Sequence, residues 1–444
     1  MKKVLILGAG LVARPMIEYL LENGLSLTVA SPEKERSDQM IKGNSAGKAV
    51  EWTMEQTGLL GDMVGEHDIV VSLLPYRFHT DVAKVCIDRR RPLVTTSYVK
   101  PEMQALDTEA AEAGIIILNE IGADPGIDHM TAMRVIDNIH SKGASVREFY
   151  SLCGALPAPE AADNPMGYKF SWSPKGVLMA SCNDAQYLKD GERVYLSREE
   201  LFSSRFSVNY PGIGEMEVYP NRDSLKYAGI YGIPEVKTLF RGTFRYPGWC
   251  ETLYLMKAID LFNEDERDYS GYSWGHFIAE CAGTDRDNLR DMLIGITGKG
   301  EEARAIKAFE WLGLFDESDM GYGVASPFGI ISDRMVSRMM LKEDERDMVV
   351  MQHTFLVVNP DRSKEVVKSG MVDYGTPVTN TAIARTVSLP AAIAVILIAG
   401  GNITLTGVHR PTLPEIYNPV LKHLERAGIS MTEEYGLPLS EMIG

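Results

Sequence analysis

The chain has 444 residues, and at about 150 residues per domain that length divides into roughly three domains or lobes, enough to bury a sizeable core without staples. Forty-five Lys and Arg stand against 61 Asp and Glu, a formal net charge of −16, so the averaged field repels nucleic acid and anionic membrane. The 45% hydrophobic and 24% charged fractions exclude disordered, collagen-like and coiled-coil readings. Cys86, Cys153, Cys182, Cys250 and Cys281 are widely spaced, which leaves no CxxC metal knuckle and no dense disulfide framework, and fits a reducing cytoplasm. No metal site is expected. The apolar run at residues 4–7 is stopped by Gly8-Ala9-Gly10 and soon followed by Arg14, so it is not read as a signal peptide. The stretch 389–400 is short of the roughly twenty apolar residues of a membrane span and reads as a buried helix.

In chain order, the first third alternates apolar β-type runs with helical patterns, the form of a Rossmann-type, doubly wound parallel sheet covered on both faces. Strands are predicted at 4–7, 25–30, 49–52, 68–74, 93–96 and 115–118, the third weak and the fourth strong. Pro101 suits the first turn of a helix that Gly114 closes. After Gly126 the pattern changes: 148–154, 215–219 and 238–245 read as strands between Gly-, Pro-, Asn- and Asp-rich loops, the mark of an α+β lobe. Helical periodicity with heavy surface charge returns over 251–341, as a helical insert. Strands at 348–358 and 364–372 rejoin the α+β lobe, and helices at 379–399 and 414–426 pack back onto the first domain. The expected division is 1–125 plus 375–444 for the dinucleotide domain, 126–250 plus 346–374 for an α+β substrate and dimerisation domain, and 251–345 for the insert.

Gly8-Ala9-Gly10-Leu11-Val12-Ala13 directly follows the first strand and opens a helix, the context in which GxGxxA binds a dinucleotide. Gly8 permits the tight turn, Gly10 admits a pyrophosphate, and the backbone N–H groups through Leu11 and Val12 face the anion at the helix N-terminus. Cofactor discrimination belongs at the end of the second strand, where Ser31 occupies the place of the usual ribose-chelating acid. Glu33 is one substitute for that acid, while Lys34 or Arg36 would meet a 2′-phosphate. The stretch Ser72 to Pro75, with Leu74, ends a strand at the ligand-binding edge and would pass under the nicotinamide half.

Longer motifs carry a resemblance. Thr95-Thr96-Ser97-Tyr98, the run Asn119 to Met130 with Ala123-Asp124-Pro125 at its centre, Cys153 to Glu160, Asp163 to Leu178, Tyr219 to Ser224 and Arg241 to Tyr246 closely resemble the saccharopine dehydrogenase (L-glutamate-forming) family, also called saccharopine reductase, nearly end to end. The resemblance implies reversible oxidation of saccharopine by NAD or NADP to glutamate and 2-aminoadipate 6-semialdehyde, in lysine degradation or synthesis, and a homodimer. It implies substrate contacts from Ser97, Tyr98, Arg222, Thr243, Phe244 and Arg245, and puts Ala123, Asp124, Pro125 and Ser173 among the cofactor contacts. NADP-using fungal members carry a Cys-Arg pair after the second strand. Ser31-Pro32 stands there instead, which leans towards NAD.

Saccharopine is a secondary amine with three carboxylates, so its site needs planar bidentate cations, for which Arg222 and Arg245 are the candidates. Pairing of either with a nearby acid is the competing reading. Imine formation, water attack and collapse each move a proton, and the titratable candidates are Cys153, Asp124, Tyr98, Lys169, His79 and His129. Asp124 reads equally as a helix cap or as the partner of the substrate amine, and Cys153 as a site-lining acid or an inert thiol. Two alternatives stand beside this reading: a carboxynorspermidine or homospermidine synthase-like dehydrogenase, and a dinucleotide-sensing protein without turnover.

Overall fold

The computed structural model describes residues 1–443. In chain order the elements are β1 (Lys3–Leu7), α1 (Arg14–Glu22), β2 (Ser26–Ser31), α2 (Lys34–Ile41), β3 (Gly47–Glu51), α3 (Thr57–Glu66), β4 (Ile69–Ser72), α4 (His79–Asp88), β5 (Leu93–Thr95), α5 (Pro101–Gln104), α6 (Asp107–Glu112), β6 (Ile116–Leu118) and α7 (Ile127–Ser141). Then come β7 (Ser145–Pro157), α8 (Pro174–Ala180), β8 (Ala185–Lys189), β9 (Glu192–Leu196), β10 (Phe206–Tyr210), β11 (Gly214–Pro220), α9 (Tyr227–Ile230), β12 (Thr238–Arg245), α10 (Trp249–Ala258), the short β13 (Arg267–Asp268), α11 (Trp274–Ala282), α12 (Arg286–Thr297), α13 (Arg304–Leu312), β14 (Val324–Ala325) and α14 (Pro327–Met339). The chain closes with β15 (Asp347–Val358), β16 (Lys364–Tyr374), α15 (Ala382–Ala399), β17 (Gly407–His409), α16 (Pro414–Arg426) and β18 (Thr432–Leu437).

These elements form two compact units, the first of residues 1–145, 359–363 and 368–435, the second of 146–358, 364–367 and 436–444. In the first, seven parallel strands run in the order β17-β6-β5-β4-β1-β2-β3. Six of them reproduce the 3-2-1-4-5-6 order of dinucleotide-binding sheets. Val4 to Leu7 of β1 and the whole of β4 are buried, as a central strand covered on both faces requires. Helix α1 turns Met16, Ile17 and Leu20 inward and packs against α15. Helix α15 spans 18 residues and is apolar enough to cross a bilayer, but most of it is buried inside the unit.

The predicted strands of this unit are all present, within two residues at each end. β17 was not foreseen: three residues hold it beside β6, with the Asp107 carboxylate accepting the Val408 N–H at 2.7 Å. The unit continues to Ser145 rather than ending at residue 125, because α7 is buried along most of its length and packs on α16, where the Tyr417 hydroxyl donates to Asp137 Oδ2 at 2.5 Å.

In the second unit β10, β11 and β12 are antiparallel neighbours and β12 pairs parallel with β7, beyond which lies β15. The β8–β9 hairpin hangs on β12 through Leu188 and Leu239. These three outer strands, β8 to β10, were not foreseen. Residues 251–345 fall within this unit rather than forming one of their own. Three of their helices are capped at the N-terminus, with the Ser273, Asp285 and Ser326 side chains accepting from backbone N–H groups three residues on.

Candidate active site

In the first unit the turn between β1 and α1 has the geometry of an anion cradle. Gly8 has φ +102°, a backbone that side-chain-bearing residues rarely adopt, and an added Cβ would lie 3.2 Å from the Leu73 carbonyl. At Gly10 an added Cβ would meet nothing within 4 Å, so the space in front of it is open. Leu11 is 54% exposed while Ala13 is fully buried against the strand. No side chain caps α1 and its first turn holds no acid, so its leading N–H groups stay available to an anion. Gly8, Gly10, Leu11 and Val12 therefore fit the pyrophosphate of a dinucleotide.

At the end of β2, Ser31 is buried and its Oγ accepts from the Glu33 N–H at 3.3 Å. Glu33 and Arg36, proposed above for opposite roles, pair with each other at 3.6 Å, and Lys34 pairs with Asp38 at 3.0 Å. Leu74 is half-buried, two residues beyond β4.

The next strand ends converge on one imidazole. His79 Nδ1 is hydrogen-bonded to Ser72 Oγ at 2.9 Å and Nε2 to Ser97 Oγ at 2.8 Å, with Thr95 Oγ1 at 3.2 Å. Burial lowers its pKa to about 4, so the ring is neutral at pH 7 and ties Ser97 to the sheet edge rather than carrying charge. Beside it the Tyr98 hydroxyl donates to Asp124 Oδ1 at 3.1 Å. Asp124, whose peptide bond to Pro125 is cis, does not cap α7: Gly126 holds that position without a side-chain cap, and its N–H goes to Asp128 Oδ1 at 2.6 Å. The capping reading of Asp124 is thus corrected.

His129 is fully buried and donates from Nε2 to Glu120 Oε2 at 2.7 Å. Glu120 Oε1 accepts from Arg410 Nε at 2.9 Å and from the Val99 N–H at 2.8 Å. Burial pushes the Glu120 pKa up, yet the His129 bond and charge, Arg410 and the Val99 N–H outweigh it and hold the carboxylate down at about 2.

In the second unit Arg245, at the end of β12, is 6% exposed. Among the described residues it enters no ion pair: Nη1 donates to the Phe244 carbonyl at 2.8 Å, and the guanidinium lies 4.9 Å from the Tyr168 ring and 5.5 Å from that of Trp249. Its Nε is buried without a hydrogen-bond partner. Pairing with a nearby acid is therefore excluded for Arg245. Thr243 sits opposite Cys153 in the β12–β7 register, and Phe244 is fully buried. Cys153 is half-buried, and no disulfide links the five cysteines. Arg222 is an exposed loop residue after β11, with φ +52° and its carbonyl accepting from the Gln186 N–H at 2.8 Å. Ser173 caps α8, accepting from the Gly176 N–H at 3.2 Å. Lys169 is fastened to Glu345 at 2.5 Å and Asp163 at 2.9 Å. Burial disfavours its charge, but the two acids raise its pKa overall, which removes it as a proton donor near neutrality.

The family model described as the saccharopine dehydrogenase NADP binding domain matches residues 4–118, and that of the saccharopine dehydrogenase C-terminal domain matches residues 122–429. This chain belongs to the saccharopine dehydrogenase family. It is 35% identical over 458 residues to saccharopine dehydrogenase [NADP(+), L-glutamate-forming] of Pyricularia oryzae, covering 100% of this chain and 99% of that protein. With the enzyme of the same name from Saccharomyces cerevisiae it shares 36% identity over 454 residues, covering 99% of each. The solved structure of apo histidine-tagged saccharopine dehydrogenase (L-Glu forming) from Saccharomyces cerevisiae superposes with a TM-score of 0.90 at 35% identity, over 98% of this chain and 100% of that one. The leaning towards NAD over NADP finds no support in these likenesses, since the matching domain and both fungal relatives carry NADP in their names.

The sequence reading did not single out Glu120 or Arg410. Glu120 and His129 both lie in the long Asn119-to-Met130 motif, but nothing in their spacing shows that a carboxylate nine residues from a histidine closes on it. Arg410 is 290 residues from Glu120 and has no local signal at all.

Proposed function

We propose that this chain oxidises saccharopine with NADP+ and water to L-glutamate and 2-aminoadipate 6-semialdehyde, and runs the reaction in reverse. The observation that carries this reading is Arg245: a guanidinium this buried, with no acid in the described structure to answer it, calls for an anionic ligand. A polyamine-type imine would need acids there, and a dinucleotide sensor would need no clamp. NADP is preferred because no acid stands at Ser31 to chelate a ribose diol, while Lys34 and Arg36 lie in the first turn of α2 beside it.

The dinucleotide would rest on Gly8, Gly10, Leu11 and Val12, and its nicotinamide supplies the acceptor for a hydride from the carbon beside the substrate nitrogen. The chain's own residues bind, orient and move protons. Arg245 holds one carboxylate. Tyr98 keeps its hydroxyl aimed at Asp124, which accepts a proton as water adds to the substrate imine, and neutral His79 fixes Ser97 at the same sheet edge. Lys169 takes no part.

The test is a steady-state assay of the purified chain with saccharopine and each nicotinamide cofactor, following the reduced nicotinamide. Saccharopine-dependent reduction of NADP+ is expected, with a higher kcat/KM than for NAD+. In Arg245→Ala the saccharopine KM rises at least about tenfold while the Kd for NADPH stays within about twofold. No turnover of saccharopine by the wild-type chain, or equal losses of substrate and cofactor affinity in the variant, overturns the reading.

A further inference from the structure

The loops that follow β4 and β5 stand side by side at the ligand-binding edge of the first sheet, because those strands are parallel neighbours. Leu73-Leu74-Pro75-Tyr76-Arg77-Phe78 and Thr96-Ser97-Tyr98-Val99-Lys100 hold two cations and no acid, in a chain whose net charge is −16. The loops meet through Lys100, whose Nζ lies 3.8 Å from the centre of the Tyr76 ring. Both side chains are exposed, Tyr76 at 61%. Among the described residues Lys100 forms no ion pair and meets this ring instead. A lysine ammonium on its four-carbon stem is otherwise free to sample many positions, and the negative face of the ring confines it to the mouth between the two loops.

The neighbouring charges leave that cation unanswered. The next acids along the chain, Asp81 and Glu102, lie in the first turns of α4 and α5, where helix N–H groups favour them. Arg77 differs. It lies 4.6 Å from the Phe78 ring and within the field of Glu55, whose pKa is lowered by a Thr53 hydrogen bond and, more weakly, by Arg77. Part of the Arg77 charge is therefore already met.

Saccharopine has three carboxylates against two ammonium groups, so the averaged field of this chain repels it, and Asp124 beside Tyr98 adds to the repulsion. In the strand order β5-β4-β1-β2 a dinucleotide crosses at β1 with its adenosine towards β2 and its nicotinamide towards β4. Lys100, beyond the end of β5, lies on the side away from the adenosine. Resting on the reading of this chain as an oxidiser of saccharopine, we propose that Lys100, held in place by Tyr76, is a guide cation that offsets the chain's negative field for the anionic substrate without touching the reacting atoms. Two signatures separate such a guide from a direct contact: its effect scales with charge, and it fades with salt, because a charge reaches about 10 Å at 0.1 M ionic strength and about 3 Å at 1 M.

The experiment uses the full chain and measures kcat/KM for saccharopine at about 0.02 M and about 0.5 M ionic strength in the wild type, Lys100→Gln, Lys100→Glu and Tyr76→Leu. At low salt Lys100→Gln lowers kcat/KM about threefold and Lys100→Glu about ninefold, since each unit of charge counts equally in free energy. At high salt both return to within about 1.5-fold of the wild type. Tyr76→Leu keeps the charge but frees it, and falls between the wild type and Lys100→Gln. The kcat and the NADPH Kd stay within about twofold throughout. Both side chains are exposed, so the variants fold unchanged, with circular dichroism as the check. Calorimetric titration of saccharopine into the NADPH complex, at both salts, repeats the comparison without turnover. No loss in Lys100→Gln, the same fold loss at both salts, or an equal loss of NADPH affinity overturns the proposal. If the wild type binds saccharopine with this dependence on Lys100 and salt yet does not oxidise it, the guide stands and the reaction assignment falls; if it neither binds nor oxidises saccharopine, both fall.

Discussion

Glu120 joins three separate stretches of the first unit. Its two oxygens take a proton donor from α7 through His129, from the chain after β17 through Arg410, and from the backbone at Val99, next to Tyr98. Tyr98 and Asp124 sit on two different loops, after β5 and after β6, and Glu120 ties both to the same buried charge. It acts as a positioning residue, because its hydrogen bonds go to His129, Arg410 and the Val99 N–H, which flank Tyr98 and Asp124. Removing the charge leaves Arg410 and His129 facing a neutral amide in a buried place, which costs about 3 kcal/mol for a broken buried pair. Glu120→Gln is therefore expected to lose about that much stability in urea titration, and the surviving folded fraction to show a lowered kcat at an unchanged NADPH Kd. Stability within about 0.5 kcal/mol of wild type would mean that the cluster is not what holds the loops.

Two glycines separate what an element needs for folding from what it needs for binding. At Gly126, φ is +148° and an added Cβ would lie 2.0 Å from the Gly122 carbonyl oxygen, so the loop that carries Asp124 closes on itself only without a side chain. At Gly10 an added Cβ meets nothing. Gly126→Ala is expected to unfold the chain or cost several kcal/mol, whereas Gly10→Ala leaves the urea midpoint nearly unchanged and weakens NADPH binding at least about tenfold, read by fluorescence titration. A Gly10→Ala variant that binds NADPH normally would move the pyrophosphate off this turn. The role of Gly10 was legible in the sequence, and the six strands of the first sheet were too, because strands buried on both faces are written as unbroken apolar runs such as Ile69-Val70-Val71; the need for glycine at 126 was not. The elements that escaped lack that signal. In β17 only Gly407 and Val408 are buried and His409 is partly exposed, and β9 and β10 are mostly exposed or half-exposed strands whose pattern, as in Glu192-Arg193-Val194, resembles a loop. The place of the candidate residues was legible where motif and strand end coincide, as at Ser97 and Tyr98 after β5 and Arg245 at the end of β12. It was illegible where partners are remote in sequence, as with Arg410 and Glu120.

At the scale of the whole molecule the same buried groups set the response to acid. The net charge of −16 means that at pH 7 the surface repels itself, and protonation of exposed carboxylates near their ordinary values relieves that repulsion. Between pH 6.5 and about 5 few carboxylates titrate, so histidine controls the change there. Burial holds the His79 pKa at about 4, below its ordinary 6.5, so the unfolded chain takes the proton first as the pH falls. Stability is then full above pH 6.5 and is lost through the window down to about 4, by about 3 kcal/mol for one such group. Glu120, held at about 2 against an ordinary 4.5, adds a second loss that begins only below pH 4.5. Urea titrations at pH 7.0, 5.5 and 4.0 should show the midpoint falling already between the first two, before the acids respond. In His79→Asn, which keeps hydrogen-bonding atoms for Ser72 and Ser97 and cannot titrate, that upper part of the decline should flatten while the part below pH 4.5 persists. An upper decline as steep in the variant as in the wild type would assign it to another histidine, and His79 would lose its place as the neutral anchor of Ser97.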